Sequence, residues 1–439
     1  MSARLWPAVC GAALLVGLSP STSAAPLNLA RMDGLRGDPV NDGPFALYWN
    51  PAAVTRPGFS LGLHLQAVHR EATYDRIAAW NDVPADEAEV NAGRSHVRGL
   101  GVIPALSVGH GWSFGDFDAG IAGGWYLPLA GVADWDKRPD APSEVPGAYD
   151  GVQRWATIYS RLVIQSIAVA LGGRHRPSGL SIGLSPVLHL ATLDTLRARN
   201  VDRTDDLVDI EGNPKEGRLL FESSDVAFGY IAGLRWEAPA SVLSVPLVIG
   251  LTWTDVPELT MDGTARIAYG TAEPFTLDAR LPFPLADTLR LGVSVGLSRR
   301  VTLRPTFEWA RWSVLDRQVA LSNADDAPLL EIERAFSDAY TGKLRGDIVL
   351  TDALTLLVGG GFERGPTPTK THEPGLAEGD NWEAGAGLRA RLSERISLTS
   401  SFFWHHFPER TVRDSIQQPS VNGVYTDHRR YLTLDLEVH

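Results

Sequence analysis

The sequence predicts an all-β protein, an antiparallel transmembrane β-barrel of about fourteen strands with an N-terminal luminal hatch. Three observations predict it. Apolar and polar residues alternate with a period of two over segments of about ten residues. The connections between these segments are alternately short and long, and the chain begins with the pattern of an export signal.

The composition excludes several classes of protein. With 439 residues, 44% of them hydrophobic and 21% charged, the chain is too apolar to be disordered. A net charge of −12 at pH 7 argues against nucleic acid as a partner, because phosphate binding requires a basic surface. The single cysteine, Cys10, rules out a disulfide framework. A large soluble protein or a β-barrel remains.

Residues 1–24 have the order of a secretory signal peptide. Arg4 supplies a positive start, residues 5–18 form an apolar stretch too short to span a bilayer, and small residues follow. Thr22 and Ala24 fit the small-x-small rule, which places cleavage after Ala24. We therefore expect an exported mature chain without cysteine.

Alternation continues through the rest of the chain. Clear examples are residues 59–66, 245–253, 289–297, 382–392 and 432–438. In a soluble sandwich the polar face meets water, whereas in an outer-membrane barrel it lines the lumen and the apolar face meets lipid. The period alone therefore leaves both architectures open.

The lengths of the connections favour the barrel. Short turns are predicted at 110–115, 174–179, 298–300, 350–353 and 393–395. Long polar loops are predicted at 73–95, 134–152, 194–221, 318–333, 364–380 and 406–423. Short connections on one side and long ones on the other are typical of bacterial barrels. About fourteen strands between residues 58 and 438 would place both termini at the short-turn end.

The segment before the first strand is the expected hatch. A barrel of this size leaves space inside, and residues 25–57 show no strand pattern. The predicted organisation is therefore a signal peptide at 1–24, a hatch at 25–57 and a barrel at 58–439.

Several motifs resemble the FadL/TodX family, outer-membrane transporters of long-chain fatty acids and hydrophobic compounds. Residues 41–54 read NDGPFALYWNPAAV, and Asn50, Pro51 and Ala52 match the end of that family's hatch. Further matches follow in order: IPALS at 103–107, GVADW at 131–135, WARWSVLD at 309–316, GPTP at 365–368, and GVY at 423–425 with LTL at 432–434.

The resemblance implies a plugged barrel that captures a hydrophobic ligand and releases it sideways at a kink in the third strand. That strand is expected at about 117–132, where Gly123, Gly124 and Pro128 would weaken lateral pairing. The alternative is an ordinary strand that ends near Gly123, followed by a plain loop.

Charged residues on the predicted luminal face have two interpretations. Arg304 and Glu308 are four residues apart on one strand face, about 13 Å along it, so they should bind other strands or the hatch. Unpaired burial of such charges would cost several kcal/mol, which favours a luminal network. Alternatively, Arg235, Arg290 or Arg304 receives a ligand carboxylate.

The sequence predicts a transporter without catalysis. Neither Gly-x-Ser-x-Gly nor His-Glu-x-x-His occurs, and adjacent His405 and His406 on a strand point to opposite faces, so no metal and no cofactor are expected. The expected partners are a fatty acid or hydrocarbon ligand and outer-membrane lipid, and the chain is expected to act as a monomer in the bacterial outer membrane. The alternative is a structural or secretion-associated barrel of the same fold.

Overall fold

Alternating segments form one continuous antiparallel wall. The computed structural model describes residues 31–439 except 139–146 and 377. The expected signal peptide and residues 25–30 of the expected hatch lie outside this part of the chain. The strands are β1 Gly58–Arg76, β2 Gly93–Phe114, β3 Phe117–Asp134, β4 Tyr159–His175, β5 Leu180–Arg199, β6 Gly217–Glu237, β7 Leu247–Asp255, β8 Leu259–Ala268, β9 Phe275–Phe283, β10 Thr288–Gly296, β11 Val301–Ala310, β12 Arg317–Ser322, β13 Pro328–Glu333, β14 Ala339–Val349, β15 Leu354–Arg364, β16 Asn381–Arg391, β17 Ile396–Val412 and β18 Gly423–Val438.

These segments make a closed barrel. In the described residues they cross the wall fourteen times, because β7 with β8, β9 with β10, β11 with β12, and β13 with β14 each form one interrupted crossing. The first strand pairs with both β2 and the last strand, β18, which closes the wall. The predicted fold class is confirmed, and both ends of the wall lie beside the short turns.

Helices are short throughout the described residues. They are Gly34–Arg36, Ala46–Trp49, Pro51–Ala53, Ala78–Trp80, Ala88–Asn91, Ala148–Asp150, Val152–Trp155, Trp312–Val314 and Thr369–Thr371. Within the described ranges, no helix combines the length and the apolar character needed to cross a membrane.

The prediction of a long loop over 318–333 is wrong. There β12 and β13 pair as an antiparallel hairpin. Charged residues at the ends of the hairpin, Arg317, Glu331 and Glu333, flank the polar turn at 322–326, and Arg317 binds Glu331 at 2.7 Å. The sequence therefore resembled a loop, although the backbone continues the sheet.

Polarity on the outer surface changes at a defined height. The outward side chains of β2 are apolar over 100–108, and Leu100 is 56% exposed. The next outward residues, Arg98 and Arg94, bind Glu71 at 3.4 Å and Asp75 at 2.8 Å. These two ion pairs mark the long-loop edge of the apolar surface on β1 and β2, the apolar belt, which is of the kind that contacts lipid.

Candidate functional site

The hatch segment, residues 31–57, lies inside the barrel and is almost entirely buried. Contacts reach it from all around the wall. Ser107 of β2 and Thr252 of β7 donate hydrogen bonds to hatch carbonyl oxygens (2.5 and 2.8 Å), and Asp435 of β18 accepts one from a hatch amide (3.0 Å). A segment bound by opposite sides of a closed wall occupies its lumen.

Asn50, Pro51 and Ala52 form the turn that leads towards β1. The Asn50 side-chain oxygen accepts a hydrogen bond from the Ala52 amide at 3.1 Å and so caps the short helix that begins at Pro51. Its amide nitrogen donates to the carbonyls of Pro39 and Leu234, both at 2.9 Å. One buried side chain thus joins the turn, the hatch and β6.

Arg304 binds the hatch. Its guanidinium donates to the carbonyl oxygens of Leu35 and Arg36 at 3.2 and 3.3 Å. The same group pairs with Asp38 at 3.4 Å and with Asp347 of β14 at 2.8 Å. The guanidinium therefore connects two strands of the wall to the plug.

Arg235 has a similar position on β6. It donates to the Val40 carbonyl of the hatch at 3.4 Å and pairs with Glu237 at 3.3 Å. Like Arg304, it is engaged by the plug, which favours the network interpretation over a ligand carboxylate at these two positions.

Arg290 and Glu308 pair with each other across β10 and β11. They are register partners, and the Arg290 Nε donates to Glu308 at 2.6 Å. The other guanidinium nitrogens lie 3.4 Å from the Thr254 and Tyr48 hydroxyls, and the group stacks over the rings of Tyr48 and Trp49. All three nitrogens of Arg290 thus have protein partners.

An inner cavity of about 1000 Å³ lies directly above this pair. Most of its wall is apolar, and its residues come from β3, β4, β5, β6 and the interruptions of the split crossings. Apolar and aromatic lining residues are Tyr48, Tyr126, Pro128, Leu129, Ile164, Val187, Ile231, Val256, Leu285, Ala286, Ala310, Trp312, Ala339 and Pro366. Part of the cavity wall is therefore formed by the residues at which the split crossings are interrupted.

An outer cavity of about 1070 Å³ lies towards the long loops. The loop at 365–380 folds inward between the two cavities: Pro366 and Glu378 line the inner one, and Glu373 with Leu376 lines the outer one. Arg334 binds Glu373 at 2.7 Å and holds the loop in place. Burial raises the pKa of the Glu378 carboxyl to about 7.

The wall has a gap between β2 and β3. These strands pair from Phe114 with Phe117 up to Leu106 with Trp125. In the described residues, 126–134 of β3 have no ladder partner on β2, and contact resumes where the Asp136 amide donates to the His96 carbonyl at 2.9 Å. We call this gap the slot. It opens within the upper part of the apolar belt.

A bulge in β3 coincides with the slot. The pairing of β3 with β4 shifts register between Tyr126 and Leu129, so that Leu127 and Pro128 face one residue, Gln165. Proline has no N–H for the ladder, and an extra residue bends the strand away from its neighbour. Pro128 therefore stands at the break in pairing.

Gly123 and Gly124 lie just before that break, in regular ladders with both neighbours. A Cβ on Gly124 would come within 2.8 Å of Leu47 in the hatch and 2.9 Å of the Leu106 carbonyl oxygen on β2, whereas one on Gly123 would meet nothing closer than 3.9 Å. The irregularity expected at the glycine pair is thus displaced to residues 127–128, and Gly124 accommodates the plug.

Sequence reasoning missed several polar groups of the inner cavity, among them Tyr126, Glu363 and Glu378. Tyr126 precedes the breaker residue Pro128 in the third strand, which is the one signal that could have pointed to it. Glu363 ends a strand and Glu378 lies in a loop, and no local pattern shows that this loop folds inward.

The closed wall, the internal N-terminal segment and the apolar cavities together define a plugged transmembrane β-barrel. The fold is that of the FadL/TodX transporters. The structure matches a FadL homologue of Pseudomonas aeruginosa with a TM-score of 0.74 and 14% identity over 95% of this chain and 99% of that one. It matches the Pseudomonas putida toluene transporter TodX with a TM-score of 0.69 and 14% identity, over 94% and 98% of the two chains.

The toluene transporter TbuX of Ralstonia pickettii has a TM-score of 0.65 and 14% identity, over 94% and 98% of the two chains. No protein-family model matches the chain, and no curated protein matches it in sequence. The predicted resemblance is therefore confirmed in the fold, at low sequence identity.

Proposed function

We propose that this chain is a passive outer-membrane transporter of hydrophobic small molecules. A ligand enters the outer cavity from the long-loop side, passes the inward loop at 365–380 and binds in the inner cavity. It then leaves sideways through the slot into the lipid. The observation that carries the proposal is the unpaired edge of β3, because Pro128 and Leu129 both line the inner cavity and flank the slot.

Energetics supports a lateral exit. An apolar molecule that leaves into water loses about 25 cal/mol for each Å² of apolar surface that it exposes. Leaving into the lipid avoids this cost. The hatch closes the axial route with many hydrogen bonds and ion pairs, so axial release would also require their disruption.

The transport proposal is tested by filling the inner cavity. Ala286 is buried in its lining, whereas Ala384 is exposed on the outer face of β16. Cells that produce the wild-type chain should accumulate labelled toluene faster than cells without it. Ala286→Trp should abolish the gain, and Ala384→Trp should retain it.

Heat-modifiable gel mobility of each variant shows whether the barrel has folded. If the wild-type chain gives no gain with a range of hydrophobic probes, transport is refuted and the structural or secretion-associated alternative is favoured. If folded Ala286→Trp transports normally, the inner cavity is not on the route.

A further inference from the structure

The charged groups of the inner cavity are mostly acidic. Asp255, Glu308, Glu363 and Glu378 all line it, against one guanidinium, that of Arg290. The other charged group on the cavity floor, Glu308, already binds Arg290 at 2.6 Å. A ligand in this cavity therefore meets an excess of carboxyl groups.

Cations near the cavity are bound to other acids. Arg429 binds Glu378 at 3.1 Å and Asp427 at 2.8 Å. On the hatch side, Lys343 and Arg31 each lie 3.4 Å from Glu383. An incoming carboxylate would have to displace an existing acidic partner to bind any of these groups.

One polar group in the cavity wall has no protein partner. Tyr126 lines the cavity and is 2% exposed, and its ring packs against Tyr48 with centroids 5.1 Å apart. No hydrogen bond to its hydroxyl is present among the described residues. Because Tyr126 lines the cavity, a polar group on a ligand could form a hydrogen bond with its hydroxyl.

We propose that the inner cavity selects apolar molecules that carry a hydrogen-bond donor, a hydroxyl or an amino group, and rejects free carboxylates. The donor would bind the acidic groups, chiefly Glu363, and the Tyr126 hydroxyl, while the apolar body fills the rest of the cavity. A carboxylate would face like charges in surroundings that screen them poorly. This inference rests on the proposed transport function and specifies its ligand class.

The test uses four compounds that share one aromatic ring: benzyl alcohol, benzylamine, toluene and benzoate. Their binding to the purified full chain in detergent micelles is measured by calorimetry against empty micelles. A pH of 8 keeps Glu378 ionised. Benzyl alcohol and benzylamine should bind more tightly than toluene, and benzoate should bind at least about tenfold more weakly than benzyl alcohol.

Two conservative variants locate the effect. Glu363→Gln should raise the affinity for benzoate several-fold and leave that for toluene unchanged. Tyr126→Phe should weaken the binding of benzyl alcohol and again leave the affinity for toluene unchanged, because the substitution keeps the shape and the apolar area of the side chain. The control is Glu394→Gln, in the exposed turn between β16 and β17, which should alter none of the four affinities.

Benzoate that binds as tightly as benzyl alcohol would overturn the inference, as would folded variants with unchanged ligand preferences. If the inference fails in this way but toluene still binds and is taken up normally, the proposed transport function is retained. If none of the four compounds binds and the cells take up no hydrophobic probe, the transport function itself fails.

Discussion

Deleting Pro128 should close the slot. The bulge holds two residues of β3, Leu127 and Pro128, opposite one of β4, so removing one residue restores continuous register. The straightened strand then presents residues 126–134 to the free edge of β2. We expect folded barrels with little or no transport.

The size of the effect follows from the unpaired length. Nine residues of β3 lack ladder partners on β2 in the described chain, and Pro104 on β2 cannot donate. Closing the gap would form roughly eight backbone hydrogen bonds, each contributing about 1 kcal/mol net. If strain cancels most of this gain and only 3 kcal/mol remains, the fraction of barrels with an open slot would still fall about 100-fold.

Uptake of labelled toluene by cells is the assay, with heat-modifiable mobility as the folding control. Pro128→Ala keeps the extra residue and should keep most of the transport. Pro408 provides a matched deletion, because it lies in a similar bulge of β17 on another part of the wall. Normal uptake by the folded Pro128 deletion, at the level of the Pro408 deletion, would refute release through the slot.

Three further predictions concern the hatch and the inward loop. Deleting residues 25–49 should raise the conductance for small ions in planar bilayers, and unchanged conductance would mean that another segment closes the lumen. Gly124→Val should overpack the contact with the hatch, at a cost of about 1–3 kcal/mol in stability, and should raise the same conductance. Gly123→Val should do neither. Equal effects of the two substitutions would contradict the contact between Gly124 and Leu47. The raised pKa of Glu378 means that the folded chain binds its proton more tightly, so this stabilisation is complete below the unfolded pKa of 4.5 and is lost as the pH rises through about 7. This stabilisation amounts to about 3 kcal/mol at most. The heat resistance of the wild-type chain should therefore fall between pH 5 and pH 8. Glu378→Gln should remove this fall, whereas the control Glu394→Gln should retain it.

The sequence predicts the strand number and the orientation of the termini well, because both follow from alternation and loop length. It fails at 318–333, where a polar turn at 322–326 and charged residues at the ends of the hairpin resemble a loop. Alternation reports what each face meets, so it indicates a strand only where one face meets an apolar surface.

The site was predicted in part. Arg235, Arg290, Arg304 and Glu308 are luminal and paired, but their partners lie on the same or neighbouring strands and on the hatch, whose position no local pattern specifies. The glycines and the proline of β3 correctly indicated the strand that is irregular. The irregularity lies at Pro128, which has no N–H for the ladder, whereas the two glycines lie in regular ladders. The acidic character of the inner cavity depends on the inward fold of one loop.

Under the proposed lateral release, the height of the slot would determine which half of the bilayer receives the molecule. The slot begins beyond Leu106 and extends to His96, so it lies on the long-loop side of the apolar belt and would open into the leaflet on that side. A molecule delivered there still has to cross the bilayer midplane without help from the protein. An uncharged molecule does so readily, whereas a carboxylate would be retained by the cost of moving its charge through hydrocarbon. The position of the gap therefore favours uncharged cargo independently of the cavity that binds it.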